Sequence, residues 1–258
     1  MGKIKSIVSD WNGTLIKDKD EAPILKGLGL AVLKASMNPF HPLRKSPNCR
    51  FFHLIETKHE LELLYKKRQQ DPNSDSVEEM YRIFNENVVK GLPIGFISDF
   101  INEYSADYGV QERLDSRIIH TIIIKRHILE KAGIISSGYE YGVTRIMEES
   151  MYYREGFRFD FIKGNNLETQ DEVAIGFSLD NYEKKHIVLE AEFRKEKFEP
   201  GTCAYIGDSI EDIGCMPLAK YPIISFLATD GFKQYAASTL NAFVPETQLD
   251  LMDYIEKA

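Results

Sequence analysis

The feature that most limits what this chain can be is a carboxylate at the end of its first strand. Residues 5–9, Lys-Ser-Ile-Val-Ser, run straight into Asp10-Trp11-Asn12-Gly13-Thr14-Leu15. Open α/β sheets bind ligands at the carboxyl ends of their strands, so an acid followed at once by a glycine turn stands where chemistry is done. A calcium loop of the EF-hand kind is excluded. Such a loop needs oxygen ligands at its first, third and fifth positions, a glycine at the sixth and a glutamate at the twelfth. Here the glycine is fourth, and Glu21 stands twelfth with no ligand ladder before it. Taken alone, Asp10 and Asn12-Gly13 also read as an ordinary tight turn. The rest of the chain decides between the two.

Composition sets only wide bounds. With 258 residues, 43% hydrophobic and 28% charged, the chain has material for one or two globular domains. A net charge of −8 argues against nucleic-acid and membrane-surface binding, which want a basic face. No apolar run reaches the length of a membrane span, and the start of the chain leads into a strand, not a signal peptide. Cys49, Cys203 and Cys215 form neither an even disulfide framework nor a metal spacing. A reduced, cytoplasmic protein is expected.

The texture of the chain changes twice. From about residue 18 to residue 111 it reads as helices with polar joints. Leu61, Leu63, Leu64 and Tyr65 mark one helix. A capping box at Ser76-Val77-Glu78-Glu79 opens a second that ends at Gly91, before Pro93. Phe96, Phe100, Ile101 and Tyr104 recur at helical spacing in a third. From Ser116 onward strands and helices alternate. A helix over 118–131 stops at Gly133, and strands are expected at 134–135, 157–162, 173–177, 203–206 and 222–226, with a helix over 185–194. Such alternation predicts a parallel sheet with right-handed crossovers. The expected architecture is an α/β core, residues 1–16 and 117–258, carrying an all-helical insertion at 17–116 after its first strand.

Three further polar clusters fall where that core would place them. Ile134-Ile135-Ser136-Ser137-Gly138 is a strand end with hydroxyls and a glycine before a helix. Backbone N–H groups there would make an anion site, although serines also cap surface helices. Lys185 begins a helix; a helical lysine is usually a solvated charge. In Ala204-Tyr205-Ile206-Gly207-Asp208-Ser209-Ile210-Glu211-Asp212 a strand ends in Gly-Asp, with a second Asp one helical turn on. Paired carboxylates at one strand end suit a hard cation such as magnesium.

Together the four clusters resemble the haloacid dehalogenase (HAD) superfamily, its phosphoserine phosphatase-like branch most of all. That family has strands ending in Asp-x-Asp-Gly-Thr, in Ser or Thr, and in Gly-Asp-x-x-x-Asp, with a helical lysine. The motifs occur here in order as Asp10 to Thr14, Ser136, Lys185, and Gly207 to Asp212. The resemblance covers roughly residues 4–16 and 117–245. It implies a HAD-like Rossmannoid core with a helical cap, and a magnesium-dependent phosphatase acting on a small phosphorylated metabolite. In that reading Asp10 attacks phosphorus and forms an aspartyl-phosphate. Mg2+ is held by Asp10, the Asn12 carbonyl and Asp208, with Asp212 acting directly or through water. Lys185 neutralises Asp10 and the transferred phosphoryl group. Ser136, Ser137 and the N–H groups of Trp11 and Asn12 bind its oxygens. The partner is a small phosphorylated substrate, with the chain a monomer or homodimer.

One position departs from the pattern. Family phosphatases carry Asp where this chain has Asn12, and that Asp protonates the leaving oxygen and then activates water. An amide does neither, and general acid–base help is typically worth about 10²–10⁴-fold. Three explanations stand side by side: another group supplies the proton, the protein is a weak or non-hydrolytic member, or the residue was changed to trap an intermediate. The alternative to a phosphatase is therefore a catalytically impaired HAD-fold protein that binds a ligand or partner.

Other features carry less. His53, Glu56 and His59 lie three apart and lack the His-x-x-x-His geometry of a zinc helix. Arg44, Lys45 and Arg50, in a stretch with Pro39, Pro42 and Pro47, read as solvated surface or as an anion contact of the cap. The absence of a Gly-x-Ser-x-Gly elbow excludes a serine hydrolase of that kind.

Overall fold

The structure, a computed structural model, describes residues 4–18, 22–45, 49–70, 76–178 and 184–258. Pro47, and the side chains of Arg44, Lys45 and the Ser76–Glu78 part of the expected capping box, lie outside the described residues. The chain divides into two compact units: Met1–Glu21, Tyr108–Asn165 and Leu179–Ala258 form one, and Ala22–Asp107 with Asn166–Ser178 the other. The chain therefore leaves the first unit twice, once after its first strand and again after its third.

The first unit is built on five strands in the order β3-β2-β1-β6-β7. They are β1 (Ser6–Ser9), β2 (Lys131–Tyr139), β3 (Phe161–Asn165), β6 (Cys203–Gly207) and β7 (Tyr221–Ile224). Every neighbouring pair is parallel, as the alternation of strands and helices predicts. Sheets of this kind are covered on both faces, so their strands read as unbroken apolar runs. All residues of β1 and β6 are buried. Tyr205, Leu189, Phe193 and Met216 belong to the core beside the sheet. Pro222 is accommodated in β7 because that strand lies at an edge.

Helices α6 (Ser116–Ile124), α7 (Glu140–Glu148), α9 (Lys185–Glu196), α10 (Asp230–Thr239) and α11 (Gln248–Lys257) complete the unit, with two short helices, α5 (Val110–Arg113) and α8 (Met151–Arg154). Among the described residues no helix is long and apolar enough to cross a membrane.

Several expected boundaries in this unit are displaced. The helix of 118–131 ends at Ile124, and Gly133 is not a stop but the third residue of β2. Its missing side chain makes room for a ring: a Cβ there would stand 2.1 Å from Phe161 Cζ. The strand expected at 157–162 begins only at Phe161. Phe157 and Phe159 instead face each other edge to face, ring centroids 5.0 Å apart, in the preceding loop.

The second unit holds α1 (Ala22–Met37), α2 (Phe51–Gln70), α3 (Ser76–Phe84) and α4 (Ile94–Asp107). The helix that starts at Ser76 continues beyond α3 as a π-helical turn, Asn85–Val89, and Gly91 follows with φ +86°. Besides these helices the second unit takes in a hairpin from later in the chain. The segment 173–177, expected in the core sheet, is β5 (Val173–Phe177), which pairs antiparallel with β4 (Leu167–Gln170) in this unit. The Asn85 carboxamide holds the hairpin by accepting from Phe177 N–H and donating to Phe177 O, both at 2.9 Å. Residues 91–94 pair with the other side of β5 through Gly91 N–H to Ala174 O and Ala174 N–H to Leu92 O, both 2.8 Å. The hairpin belongs to the second unit because its pairing partners are there.

Candidate active site

The carboxyl edge of the parallel sheet gathers the polar clusters. Asp10 N–H donates to Ile206 O at 2.9 Å, which carries the β1–β6 register one residue past Ser9. Asp10 therefore stands level with Gly207, the last residue of β6, and it is only 3% exposed. The chain then folds back tightly: Trp11 O accepts from Leu15 and Ile16 N–H at 3.0 Å each. Gly13, at φ +70°, donates its N–H to both Ile16 O and Asp18 O at 2.8 Å. Only glycine fits, because a Cβ would stand 2.3 Å from Asp208 Oδ2. The glycine of the turn thus makes room for a carboxylate that arrives almost two hundred residues later in the chain.

Asp208 follows β6, and Asp212 ends the short 3-10 turn Ile210–Asp212. Asp208 is half-buried and Asp212 fully buried. Asp212 Oδ2 accepts from the N–H groups of Asp208 (3.0 Å) and Ser209 (3.4 Å), closing a capping box with Ser209. Its Oδ1 accepts from Tyr205 Oη at 2.9 Å and Lys185 Nζ at 3.1 Å. Lys185 is the first residue of α9 and is 3% exposed; its ammonium also donates to Asp10 Oδ1 at 2.7 Å. Thr14 Oγ1 donates to Asp208 Oδ1 at 3.1 Å and lies 3.5 Å from Asp10 Oδ2.

Charge is unbalanced here. One oxygen from each of Asp10, Asp208 and Asp212 falls within 4.8 Å of the others, against a single ammonium. Burial pushes the Asp10 carboxyl well above the usual carboxylate range; Lys185 opposes the shift, and the charges of Asp212 and Asp208 add to it. Burial, then Asp212, pushes Asp208 up to about 7. Burial alone would lower Lys185, but Asp10 and Asp212 outweigh it and hold the ammonium well above an ordinary lysine. The cluster thus has a cation in place and an excess of anionic oxygen.

That donor set fits magnesium, a hard ion that takes oxygen ligands and keeps several waters. Asp10 Oδ2 and the Asp208 carboxylate are the side-chain oxygens suited to it. The bridge between Asn12 and Ile16 uses Trp11 O and Gly13 N–H, so the Asn12 carbonyl lies outside the pairing. Asp212 is differently employed: four donors already engage its two oxygens, which leaves a contact through water as its route to a cation.

Ser136 reaches the same edge. Ile134 pairs with Ser9, which puts Ser136 level with Trp11, and it is fully buried. The expected strand end and helix start are displaced, however. β2 continues to Tyr139 and α7 begins at Glu140, so Ser136, Ser137 and Gly138 are strand residues. Gly138 N–H is taken by Ser136 Oγ at 2.9 Å, and Ser137 O accepts from the Asn165 carboxamide. A helix N-terminus at these residues is therefore ruled out as the anion site. Gly164 allows the close approach of this backbone, since a Cβ there would lie 2.5 Å from Gly138 O.

Trp11 is buried and Asn12 half-buried in the turn. His53, Glu56 and His59 lie on α2 and Arg50 is exposed; among the described residues none of these belongs to a metal-competent group.

Two contributors escaped sequence reasoning. Tyr205 could have been noticed as a buried tyrosine needing a partner for its hydroxyl. Ser225 ends the apolar run of β7, donates to Gly13 O (3.4 Å) and Thr14 O (3.3 Å), and accepts from Leu227 N–H (3.1 Å). Its own N–H donates to Gly207 O at 2.9 Å, tying the edges of β1, β6 and β7 together.

No protein-family model matches the sequence, and no curated protein matches it. Solved structures do match. A Bordetella pertussis Tohama I protein of unknown function superposes with TM-score 0.64 at 10% identity, over 94% of this chain and 98% of its own. A HAD family hydrolase of Salmonella enterica subsp. enterica serovar Typhi gives 0.58 at 12% identity, over 99% and 72%. A substrate-bound phosphoserine phosphatase gives 0.55 at 15% identity, over 99% and 100%. At these identities the likeness is one of fold, and the fold is that of HAD hydrolases of the phosphoserine phosphatase kind.

Proposed function

We propose that the chain is a magnesium-dependent phosphatase that hydrolyses a small phosphorylated metabolite through an aspartyl-phosphate on Asp10. The observation that carries the reading is the state of Asp10: buried at a strand end, one oxygen bound to Lys185, the other turned toward Thr14 and Asp208. The likeness of the fold to that of phosphoserine phosphatase supports a phosphate monoester of small size. The net charge of −8 supports a substrate that is not nucleic acid.

In this reading the Asp10 carboxylate attacks phosphorus, the bond from phosphorus to the leaving oxygen breaks, and water then cleaves the acyl phosphate. Splitting one displacement into two is the gain of covalent catalysis. Lys185, held by Asp212, fixes the attacking carboxylate and offsets the dianion. Asp10, Asp208 and the Asn12 carbonyl would hold magnesium, which would supply the remaining positive charge that phosphoryl transfer needs. Ser136 and the N–H groups of Trp11 and Asn12 hold phosphoryl oxygens. Asp212 and Tyr205 act one layer out, by holding Lys185.

Asn12 favours a second reading, a catalytically impaired HAD-fold protein with a binding or regulatory role. An assay with p-nitrophenyl phosphate and magnesium separates the two, because its leaving group departs without a proton. Magnesium-dependent release with this ester, and little with alkyl phosphates, supports the phosphatase. Release from neither, with tight binding of a phosphate analogue, supports the second reading.

A further inference from the structure

Outside the carboxylate cluster, the first unit holds a second buried-to-surface network, at the point where the chain departs for the other unit and returns. The departing segment, residues 15–18, is paired with the returning residues 112–115. Asp115 N–H donates to Leu15 O (2.8 Å), Ile16 bridges Leu114, and Lys17 N–H donates to Arg113 O (3.0 Å). Lys17 Nζ adds a bond to Glu112 O at 2.8 Å. At the end of this ribbon Asp18 is gripped by its side chain. Arg113 Nη1 bridges both its oxygens, at 2.9 and 2.8 Å, and the Tyr108 hydroxyl donates to the second. The Arg113 guanidinium lies over the Tyr108 ring, 4.6 Å from its centroid.

The backbone of Asp18 does something different from its side chain. Its carbonyl is one of the two acceptors of Gly13 N–H, and Gly13 is the residue against which the Asp208 carboxylate rests. We infer that Asp18, Arg113 and Tyr108 form a clamp that positions Gly13, and through it the spacing between Asp208 and Asp10. The inference rests on the reading that Asp10 and Asp208 share one metal-dependent site. Their side chains meet one another at the far end of the ribbon, so they are positioning residues.

A merely structural role would look otherwise. The pair is partly exposed, 43% at Arg113 and 24% at Asp18, and such pairs add little to global stability. Positioning instead predicts a local effect on the turn. Outer hydrogen bonds around a metal site are typically worth about 10–100-fold in metal affinity. Arg113→Ala is therefore expected to weaken magnesium binding, read by calorimetry, by about tenfold. It should also speed hydrogen exchange at Gly13 N–H while amides of β1 and β6 keep their wild-type rates. With p-nitrophenyl phosphate, kcat should fall with KM nearly constant. Arg113→Lys should largely restore all of these, because a single nitrogen makes both contacts to Asp18.

Should Arg113→Ala fail to fold, Tyr108→Phe removes only the hydroxyl and is expected to show the same pattern at about threefold, the worth of one ordinary hydrogen bond. Unchanged magnesium affinity and unchanged Gly13 exchange in the folded variants overturn the clamp. A wild-type protein without phosphatase activity overturns the proposed function instead, and Gly13 exchange still decides the clamp.

Discussion

Lys185 Nζ stands 2.7 Å from Asp10 Oδ1, although 175 residues separate them in the chain. The contact joins the first turn of α9 to the end of β1 and fixes how the Asp10 carboxylate is turned. Asp212 accepts from the same ammonium at 3.1 Å, so Lys185 stays paired if Asp10 is removed. Asp10→Ala is therefore expected to fold with a near-normal melting profile and to lose all magnesium-dependent phosphatase activity. Wild-type turnover in that variant would exclude Asp10 as nucleophile.

Asp208 and Ser136 reach the sheet edge from opposite sides of β1, with different duties. Asp208→Asn should raise the magnesium concentration needed for half-maximal activity more than Ser136→Ala does, because only the first removes an anionic ligand. Titrating magnesium against initial rate for both variants checks the order. The reverse order would move the metal site away from β6.

The raised carboxyl of Asp208 gives a pH dependence with a definite sign. Its pKa is about 7 in the folded protein against an ordinary value of 3.8. Between those values the folded state holds more protons than the unfolded one, so the metal-free protein should lose stability as pH rises from about 4 to about 7. The shift of Asp10 acts in the same direction. A cation competes with those protons, so magnesium should raise the melting temperature more at pH 8 than at pH 5. Thermal melts in EDTA and in magnesium at both pH values test this. An equal effect at both would mean that Asp208 is ionised throughout.

Asn12 is the place where this chain departs from an efficient acid–base catalyst. Asn12→Asp is expected to speed hydrolysis of alkyl phosphates by roughly 10²–10⁴-fold, and of p-nitrophenyl phosphate less, if attack by Asp10 limits the rate. If breakdown limits instead, the unaltered protein should show a burst. No gain on any ester would mean that another group already moves the proton.

Much of the site was legible because each part is local. Asp10 and Asp208 each end an apolar run, and a strand end is visible in a dozen residues. The bonds that hold those parts together were not legible. Thr14 meets Asp208 across 194 residues and Ser225 meets Thr14 across 211, and no pattern within one segment encodes such a pairing. Gly133 misled for a related reason: it is a glycine because of Phe161, not because a helix stops there. The hairpin of β4 and β5 was misassigned because its strands look like any others. Only their pairing with residues 91–94 and Asn85 puts them in the second unit.

The central claim is a covalent bond between Asp10 and phosphorus. Quenching the protein with borohydride during turnover of p-nitrophenyl phosphate, then mapping peptides by mass, reads it directly, since an acyl phosphate is reduced to the alcohol. The expected result is homoserine at position 10, formed only when both magnesium and the ester are present. Phosphate release with Asp10 unmodified, or reduction at another carboxylate, would contradict it.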